Sequence, residues 1–335
     1  MSDDEVAAFL ATVPLFAGVP EADLAELGHL LRRRELPAGE ILWREGEESG
    51  GMLLIVDGRV SLSVSLPGGR EVGFGSLGPA AILGEVPLVD GGRHLATARA
   101  ESPATVLQLR RADFAALVSR RHATAFAIKR GIARHACGRL RVQLESLAAA
   151  LGGEPSHDAK PPAELAFCPA PDSGYVRRLA TFRAFESLAL WAFLTAGRYA
   201  RCPAGRTLVG EGEVTTACYL TMNGAVEKVI VRGGRRVRVG LAGPGQAFGY
   251  ESLIDGRPAP TAAITRERCL LLVLPDEPFQ RLFHEETIGS HVFLDVINRD
   301  VIASLRQALR PQAWLATSLE GTSTPAAAGD PPARR

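Results

Sequence analysis

Short runs of alternating polar and apolar residues occupy two stretches of the chain, and glycine-rich turns interrupt them. The first run opens at 36–60, "LPAGEILWREGEESGGMLLIVDGRV", and a similar one opens at 202–226, "CPAGRTLVGEGEVTTACYLTMNGAV". Alternation with a period of two predicts strands with one buried face. Many short strands between such turns are typical of an antiparallel barrel or jelly roll, and the Gly-Gly pairs at 68 and 233 are predicted hairpin turns.

The two runs are copies of one unit. At an offset of 166 residues, ten of the 25 positions quoted above are identical, including Pro37 with Pro203 and Gly58 with Gly224. From Val64 onward the best offset is 165, so one residue is predicted to be lost just before Val64. A repeat of this length indicates a duplicated domain and not a solenoid, whose units are about 20–50 residues long.

Helical patterns flank each strand-rich unit. Residues 22–34, "ADLAELGHLLRRR", precede the first unit, and 112–151 follow it. Within the second of these, one largely apolar seam recurs at alternating steps of three and four, as in a coiled coil. Its members are Phe126, Arg130, Ala133, Cys137, Leu140, Leu144, Leu147 and Leu151. Two readings stay open: the seam packs on its own barrel or on the second domain, or helix 119–151 contacts a protein partner or a second copy in a homodimer.

The same helical segment is rich in basic residues. No aromatic residues interleave with them as in a nucleic-acid platform, so a solvated helix face is favoured over a nucleic-acid patch. The basic residues are Arg120, Arg121, Lys129, Arg130, Arg134, Arg139 and Arg141.

Composition divides the chain further and restricts its class. The sequence predicts a first domain at 8–151, an irregular linker rich in Pro and Gly at 152–174, a second domain at 175–310 and a disordered tail at 311–335. The chain has 335 residues, 38 basic and 37 acidic, for a net charge of +1. This balance provides no overall field that favours nucleic acid.

The cysteines and the hydropathy favour a cytoplasmic protein. The five cysteines contain no CxxC pair, which suits a reducing compartment and argues against a zinc site. The acidic start "MSDDEVAAFL" does not look like a signal peptide, and no apolar run reaches the roughly 18–20 residues of a membrane span.

The order of motifs resembles the cyclic nucleotide-binding domain, the module of catabolite-activator-type regulators, kinase regulatory subunits and gated channels. The resemblance rests on "VPLFAGVPEADLAEL", "PAGEILWREGE", "VDGRVSLSV" and "LGPAAILGE", and covers 10–150 in one copy and about 182–310 in the other. It implies a mainly β fold with flanking helices, in which two tandem β-roll (jelly-roll) domains are each followed by closing helices.

The resemblance also implies a phosphate-binding cassette of the form G-E-x-A/S-L, followed after several residues by R-A/S/T-A. In the family the Glu accepts a hydrogen bond from the ribose 2′-hydroxyl, and the Arg pairs with the cyclic phosphate. Two backbone amides complete the anion site at a helix N-terminus.

The first copy keeps part of this cassette. Pro87 stands where the first amide is needed and has no N–H to donate. His94 stands at the arginine position, and an imidazole with an ordinary pKa of roughly 6.5 is mostly neutral at neutral pH. Arg93 lies one position earlier and could serve only by swinging inward. The candidate ligand-binding residues are Gly84, Glu85, Leu88, Arg93, His94, Leu95 and Ala96.

The second copy is more degenerate. Tyr250 replaces the ribose-binding Glu, Ala259 stands at the arginine position, and Pro260 removes the second amide. The residues of this degenerate cassette are Gly249, Tyr250, Glu251, Ser252 and Thr261. The second domain is therefore not expected to bind a cyclic nucleotide as the family does.

Two functional hypotheses follow. In the first, the chain is a non-enzymatic sensor whose first domain binds cAMP, cGMP or a related small anion. In the second, it is an interaction or assembly protein in which both pockets are degenerate. A DNA-binding regulator is less favoured because no helix-turn-helix pattern follows residue 310. No nucleophile and base pair stands out, so no catalytic residue and no metal ligand is predicted.

Overall fold

The structure, a computed structural model, describes residues 1–65, 71–153, 165–232 and 234–320, without the side chains of Phe74 and of 309–320. Gly68, Gly69 and Gly233 of the predicted hairpin turns lie outside the described residues, as does the predicted tail from 321 onward. Gly234 has a φ of +76° between the paired residues Arg232 and Arg235, as a hairpin turn requires.

The first domain is a β roll made of two four-stranded antiparallel sheets, ordered β1-β8-β3-β6 and β2-β7-β4-β5. Helices precede and follow the strands. In chain order the elements are α1 (Asp3–Thr12), a 3-10 turn (Pro14–Phe16), α2 (Glu21–Leu30), β1 (Arg32–Leu36), β2 (Ile41–Trp43), β3 (Gly51–Asp57), β4 (Val60–Ser65), β5 (Glu71–Leu77), β6 (Ile82–Leu83), α3 (Glu85–Asp90), β7 (Thr97–Ala100), β8 (Ala104–Arg110), α4 (Arg111–Ser119) and α5 (Ala123–Leu151).

The second domain repeats this plan and adds one edge strand, so that its sheets are ordered β15-β12-β17-β10-β9 and β11-β16-β13-β14. Its elements are β9 (Ala166–Cys168), α6 (Ser173–Arg178), a 3-10 turn (Ala180–Phe182), α7 (Ser187–Leu194), β10 (Arg198–Cys202), β11 (Thr207–Val209), β12 (Ala217–Asn223), β13 (Val226–Arg232), β14 (Arg235–Ala242), β15 (Ala247–Phe248), α8 (Glu251–Asp255), β16 (Ala262–Thr265), β17 (Cys269–Pro275), α9 (Asp276–His284) and α10 (Ile288–Glu320). The predicted tandem β-roll fold is confirmed.

The glycines shared by the two copies are required by close backbone approach. Gly58 and Gly224 have φ angles of +84° and +87°. Residues other than glycine rarely adopt such angles. A Cβ at Gly58 would lie 2.4 Å from the Pro103 carbonyl oxygen, and one at Gly224 would lie 2.7 Å from that of Arg268. The same turn therefore needs the same residue in both domains.

The predicted position of the lost residue, just before Val64, is wrong, as the strand pairing shows. Val64 pairs with Val72, and Ile230 pairs with Val237. The offset between copies is thus still 166 in β4 and becomes 165 in β5, so the change lies in the hairpin connection and not before Val64. A hairpin tip can lose a residue at little cost, whereas a loss within a strand would turn its buried side chains to the other face.

Two predicted helices differ from those of the structure. The helix predicted at 112–151 is two helices, because Arg121 has a positive φ of 51° and the His122 side chain caps α5 by accepting from the Thr124 amide. The helix predicted at 22–34 ends at Leu30, since the following arginines form β1 and pair with β8.

The predicted tail and the predicted linker also differ from the structure. Helix α10 continues to Glu320, so 311–320 are helical and not part of a disordered tail; Ala, Gln and Leu in this segment are good helix formers. In the predicted linker, Ala166–Cys168 form β9 and join the sheet of the second domain, and α6 begins at Ser173.

The two long helices α5 and α10 pack together along the junction of the domains. Phe126 and His291, 165 positions apart, face each other with ring centroids 5.6 Å apart. Further along, the Lys129 ammonium contacts Asp295 at 2.7 Å, and the Asn298 amide donates to the Lys129 carbonyl oxygen. The helices therefore run parallel in the register of the sequence repeat, as equivalent elements of a two-fold pair would.

This packing decides between the two readings of the apolar seam. Most seam residues of α5 are buried in one cluster with residues of the second domain such as Phe193, Phe293 and Leu305. The seam thus packs on the second domain within the chain, and contact of helix 119–151 with a second copy stays a prediction. Contacts with other proteins through other surfaces stay a prediction. The solvated-face reading is wrong for Lys129 and Arg141, which are buried beside carboxylates.

Candidate functional site

The cassette of the first domain lies between β6 and β7 and contains the short helix α3. Gly84 begins it with a φ of +74°, and a Cβ there would lie 2.8 Å from the Gly51 carbonyl oxygen. Glu85 is the first residue of α3 and is only 2 % exposed. The chain therefore places the predicted ribose-binding carboxylate inside the domain.

Glu85 already has a cationic partner. Its Oε1 accepts a hydrogen bond from Nη1 of Arg139 on α5 at 2.6 Å, and His135 Nε2 lies 3.9 Å away. Burial lowers the pKa of His135, although the Glu85 charge opposes this shift. The imidazole is therefore neutral near neutral pH, and Arg139 is the cation that balances the carboxylate.

His94 does not supply the missing charge. Its ring is stacked on Trp43 with centroids 4.0 Å apart, and the residue is 5 % exposed. Burial lowers its pKa to about 4, despite the opposing charges of Glu47 and Glu85. At neutral pH the group at the arginine position of the cassette is an uncharged aromatic ring.

Arg93 points away from the cassette. Its side chain is 66 % exposed, donates to the Gly46 carbonyl oxygen at 2.8 Å and lies 3.8 Å from Glu48. An inward swing would break both contacts. Neither Arg93 nor His94 therefore places a positive charge beside Glu85 in this structure.

The space left in this cassette is small. The cavity measures about 40 Å³, whereas pockets for ligands of nucleotide size are roughly 300–1,000 Å³. Such a volume holds a water molecule or two. Among the predicted residues, Leu88 and Arg93 do not line it: Leu88 packs in the core and Arg93 faces solvent. The residues that line it include Trp43, Gly84, Glu85, Pro87, His94, Leu95, Ala96 and Arg139.

Two important residues of this site were missed from the sequence. Trp43 lies on β2, stacks on His94 and donates its indole N–H to the Ala96 carbonyl oxygen. Arg139 lies next to the seam residue Leu140 and was counted with the basic face. The sequence carries no signal for its contact with Glu85, because that contact depends on how α5 crosses the roll.

In the second domain, side chains fill the equivalent space. Tyr250, which replaces the ribose-binding Glu, is fully buried and donates its hydroxyl to Asp300 Oδ2 at 2.7 Å. Lys228 Nζ binds the same oxygen at 3.1 Å and Ser304 Oγ at 2.8 Å. Burial, together with the charge of Asp300, raises the pKa of Tyr250 well above its usual value. These residues form a buried polar network, hereafter the Lys228–Asp300–Tyr250 network.

The other predicted residues of the second cassette surround this network. Gly249 has a φ of +75°. Glu251, Ser252 and Thr261 are buried, and burial raises the pKa of Glu251. The remaining cavity is about 10 Å³, and Leu140 and Leu144 of α5 close one side of it. The space for a ligand in the family manner is therefore occupied by the chain itself.

The long helix of each domain holds the cassette helix of the other domain. Arg141 on α5 binds both Asp255 oxygens at 2.7 and 2.9 Å and the Pro258 carbonyl oxygen at 2.6 Å. Arg306 on α10 binds Asp90 Oδ2 at 2.8 Å. Both the arginines and the aspartates are 165 positions apart. One ion pair thus occurs twice, exchanged between the copies, and we call the two the crossed ion pairs.

Comparison with known proteins assigns both halves of the chain to one kind of domain. The family model described as "Cyclic nucleotide-binding domain" matches residues 33–121 and 200–286, which together make up more than half of the chain. Both matched ranges contain a cassette described above. Within the described residues, no helix is long and apolar enough to cross a membrane.

Individual relatives match about a third of the chain. A cyclic nucleotide-gated potassium channel of Mesorhizobium japonicum is 39 % identical over 110 residues, 33 % of this chain and 29 % of the channel. A cyclic AMP receptor protein of Thermus thermophilus is 32 % identical over 107 residues, 32 % of this chain and 50 % of the relative. The chain therefore spans half or less of the length of these two relatives.

Among solved structures, the regulatory domain of Toxoplasma gondii PKA co-crystallised with cAMP is similar over 93 % of this chain and 96 % of that chain. The sequence identity is 16 % and the TM-score is 0.34.

Proposed function

The chain belongs to the cyclic nucleotide-binding domain family, and from this premise we propose that it is a non-enzymatic regulatory protein whose two nucleotide pockets are closed by its own side chains. In this proposal it acts as an interaction or assembly module, and its helices keep their closed arrangement without a nucleotide. We include a cytoplasmic location in the proposal, and the five free cysteines support it.

The observation that carries the proposal is the contact between Arg139 and Glu85. In the family this carboxylate accepts a hydrogen bond from the ribose of the nucleotide. Here the Glu85 carboxylate is only 2 % exposed and is bound by an arginine of the closing helix. A buried carboxylate bound by a guanidinium is a strong, charge-assisted contact. A nucleotide would have to displace Arg139 without a cation at His94 to receive its phosphate.

The second domain supports the same conclusion. The Lys228–Asp300–Tyr250 network ties α10 to the roll through Asp300 and Ser304. Removing one member of a buried ion pair costs about 3–5 kcal/mol, so a ligand would have to offset this cost to open the pocket. The helix after each roll is therefore fixed by an internal ion pair.

The test is a titration of the full chain with cAMP and cGMP, followed by calorimetry and thermal unfolding. We expect no saturable heat and no shift in melting temperature up to millimolar nucleotide. The double variant Pro87→Ala, His94→Arg restores one amide and the cation, and should bind where the natural sequence does not. Saturable micromolar binding to the natural sequence would contradict the proposal.

A second candidate function is the nucleotide or anion sensor, and one observation favours it. The first domain keeps Gly84 and Glu85 in place, and its cassette cavity is larger than the equivalent cavity of the second domain. In a sensor, the ligand would take Glu85 from Arg139 and thereby release α5, shifting a population of helix arrangements. The same titration separates the candidates, because only a sensor would show a ligand-dependent rise in melting temperature.

A further inference from the structure

Two arginines on α5 differ from the other buried or half-buried cations of that helix. Lys129, Arg139 and Arg141 each have a carboxylate within 2.7 Å. In the part of the chain that the structure describes, neither Arg130 nor Arg134 has a carboxylate within ion-pair distance, although both side chains are half-buried. Their positive charges are thus left without a counter-ion.

These two guanidinium groups lie together at the junction of the domains. They are four positions apart and hence one helical turn from each other. The Arg130 guanidinium carbon lies 5.9 Å from the Phe126 ring centroid, and that of Arg134 lies 5.5 Å from the ring of Phe283 at the end of α9. His284 follows directly and is exposed. Two of these groups thus belong to the first domain, and the third follows the Phe283 ring of the second domain that Arg134 contacts.

The electrostatic surroundings of these groups are positive. Burial lowers the pKa of Arg130, and the Arg134 charge lowers it further. The pKa of His284 is lowered by burial and by the charges of both arginines. Of the two acidic residues that follow His284, Glu285 is exposed and Glu286 is directed to His291 at 3.2 Å. Like charges four positions apart on a helix destabilise it, so an anion between them would be favoured.

The duplicated copy shows that this pair of cations is not required by the fold. The position equivalent to Arg130 in α10 is Asp295, which binds Lys129. The position equivalent to Arg134 is Arg299, which stacks on Phe185 and donates to the Thr181 carbonyl oxygen. Only the first copy places two arginines side by side at this point, next to an imidazole of the other domain.

We propose that Arg130, Arg134 and His284 form a binding site for the phosphate group of a small phosphate monoester, at the junction of the two domains. Two guanidinium forks and an imidazole match a tetrahedral dianion, whereas a single carboxylate presents only one plane of acceptors to one fork. Because Arg130 and Arg134 belong to the first domain and His284 to the second, the bound anion would strengthen the docking of the domains.

The test uses inorganic phosphate as the probe and the full chain at constant ionic strength, with chloride as the exchanged anion. We expect saturable binding by calorimetry and a higher melting temperature in phosphate than in chloride. Arg134→Gln removes one fork and should weaken phosphate binding at least tenfold, which corresponds to the loss of one charge-assisted contact. Arg134→Lys keeps the charge but not the planar guanidinium group, and its affinity for phosphate should lie between those of the natural sequence and Arg134→Gln.

Arg299→Gln is the matched control, because it removes the equivalent arginine of the second copy. It should leave phosphate binding unchanged. The proposal is overturned if phosphate and chloride act alike on the natural sequence. It is also overturned if Arg299→Gln weakens binding as much as Arg134→Gln, since the effect would then be one of net charge. None of these residues lines either nucleotide pocket, so the outcome is independent of the titration with nucleotides.

Discussion

The two domains close the same pocket by different means. In the first, a carboxylate of the cassette is kept and paired with an arginine of the long helix. In the second, Tyr250 stands at the position of Glu85, and Lys228 reaches in from β13 to bind Asp300 on α10. Lys228 stands at the position of Leu62, since each directly precedes the bulge in its strand. In the second domain, the ion pair of the pocket is therefore supplied by the strand and the closing helix.

The largest expected difference between the two pockets comes from removing the lysine of the second one. Lys228→Met leaves Asp300 buried without its cation, and we expect a loss of about 3–5 kcal/mol in the free energy of unfolding. The matched change in the first domain, Leu62→Met, replaces one apolar side chain by another of similar volume and should cost less than about 1.5 kcal/mol. Denaturant unfolding of both variants measures the difference. Equal losses would show that the network does not hold the second domain.

The crossed ion pairs offer a second comparison, with a smaller effect. The Arg141 side chain is 3 % exposed and that of Arg306 is 31 % exposed. Arg141→Ala should therefore lower the free energy of unfolding by about 3 kcal/mol, and Arg306→Ala by about 1 kcal/mol or less. Thermal unfolding of the two variants at low and high salt checks this order. If Arg306→Ala proved the more damaging, exposure would not govern the strength of these pairs.

The smallest expected effect concerns pH and the first domain alone. The pKa of His94 is about 4 in the folded chain and about 6.5 in the unfolded chain, so the unfolded state binds the proton more tightly. This contribution to stability is complete well above pH 6.5 and falls as the pH drops toward 4, by about 2 kcal/mol at pH 5. His94→Phe keeps a ring against Trp43 and should lose less stability between pH 7 and pH 5. A pH profile identical to that of the natural sequence would contradict this assignment.

The sequence was sufficient for the fold and for the register of both cassettes. Gly58, Gly224 and the repeated PAG element mark the same turns in the two copies, and turns of this kind depend on local backbone conformation. The positions of Glu85 and His94 could be counted from the same anchors. These features are local, and a repeat within one chain makes them visible without any other sequence.

The contacts that close the pockets could not be predicted in this way. Arg139 meets Glu85 across 54 positions, and Lys228 meets Asp300 across 72. Such pairs depend on the angle at which a helix crosses a sheet, which periodicity does not specify. The seam of α5 illustrates the same limit: its apolar spacing predicts that something packs on it, and only the structure identifies α10 and the second domain as that partner.

The parallel register of α5 and α10 has a consequence for how the two halves can differ. In an assembly of two identical chains every substitution occurs twice and the pairing weakens on dilution. Here a covalent connection fixes the local concentration of one half around the other, so the pairing is independent of protein concentration. A substitution such as Tyr250 for the ribose-binding Glu can then be accommodated on one side alone, which allows each half to close its pocket with its own set of side chains.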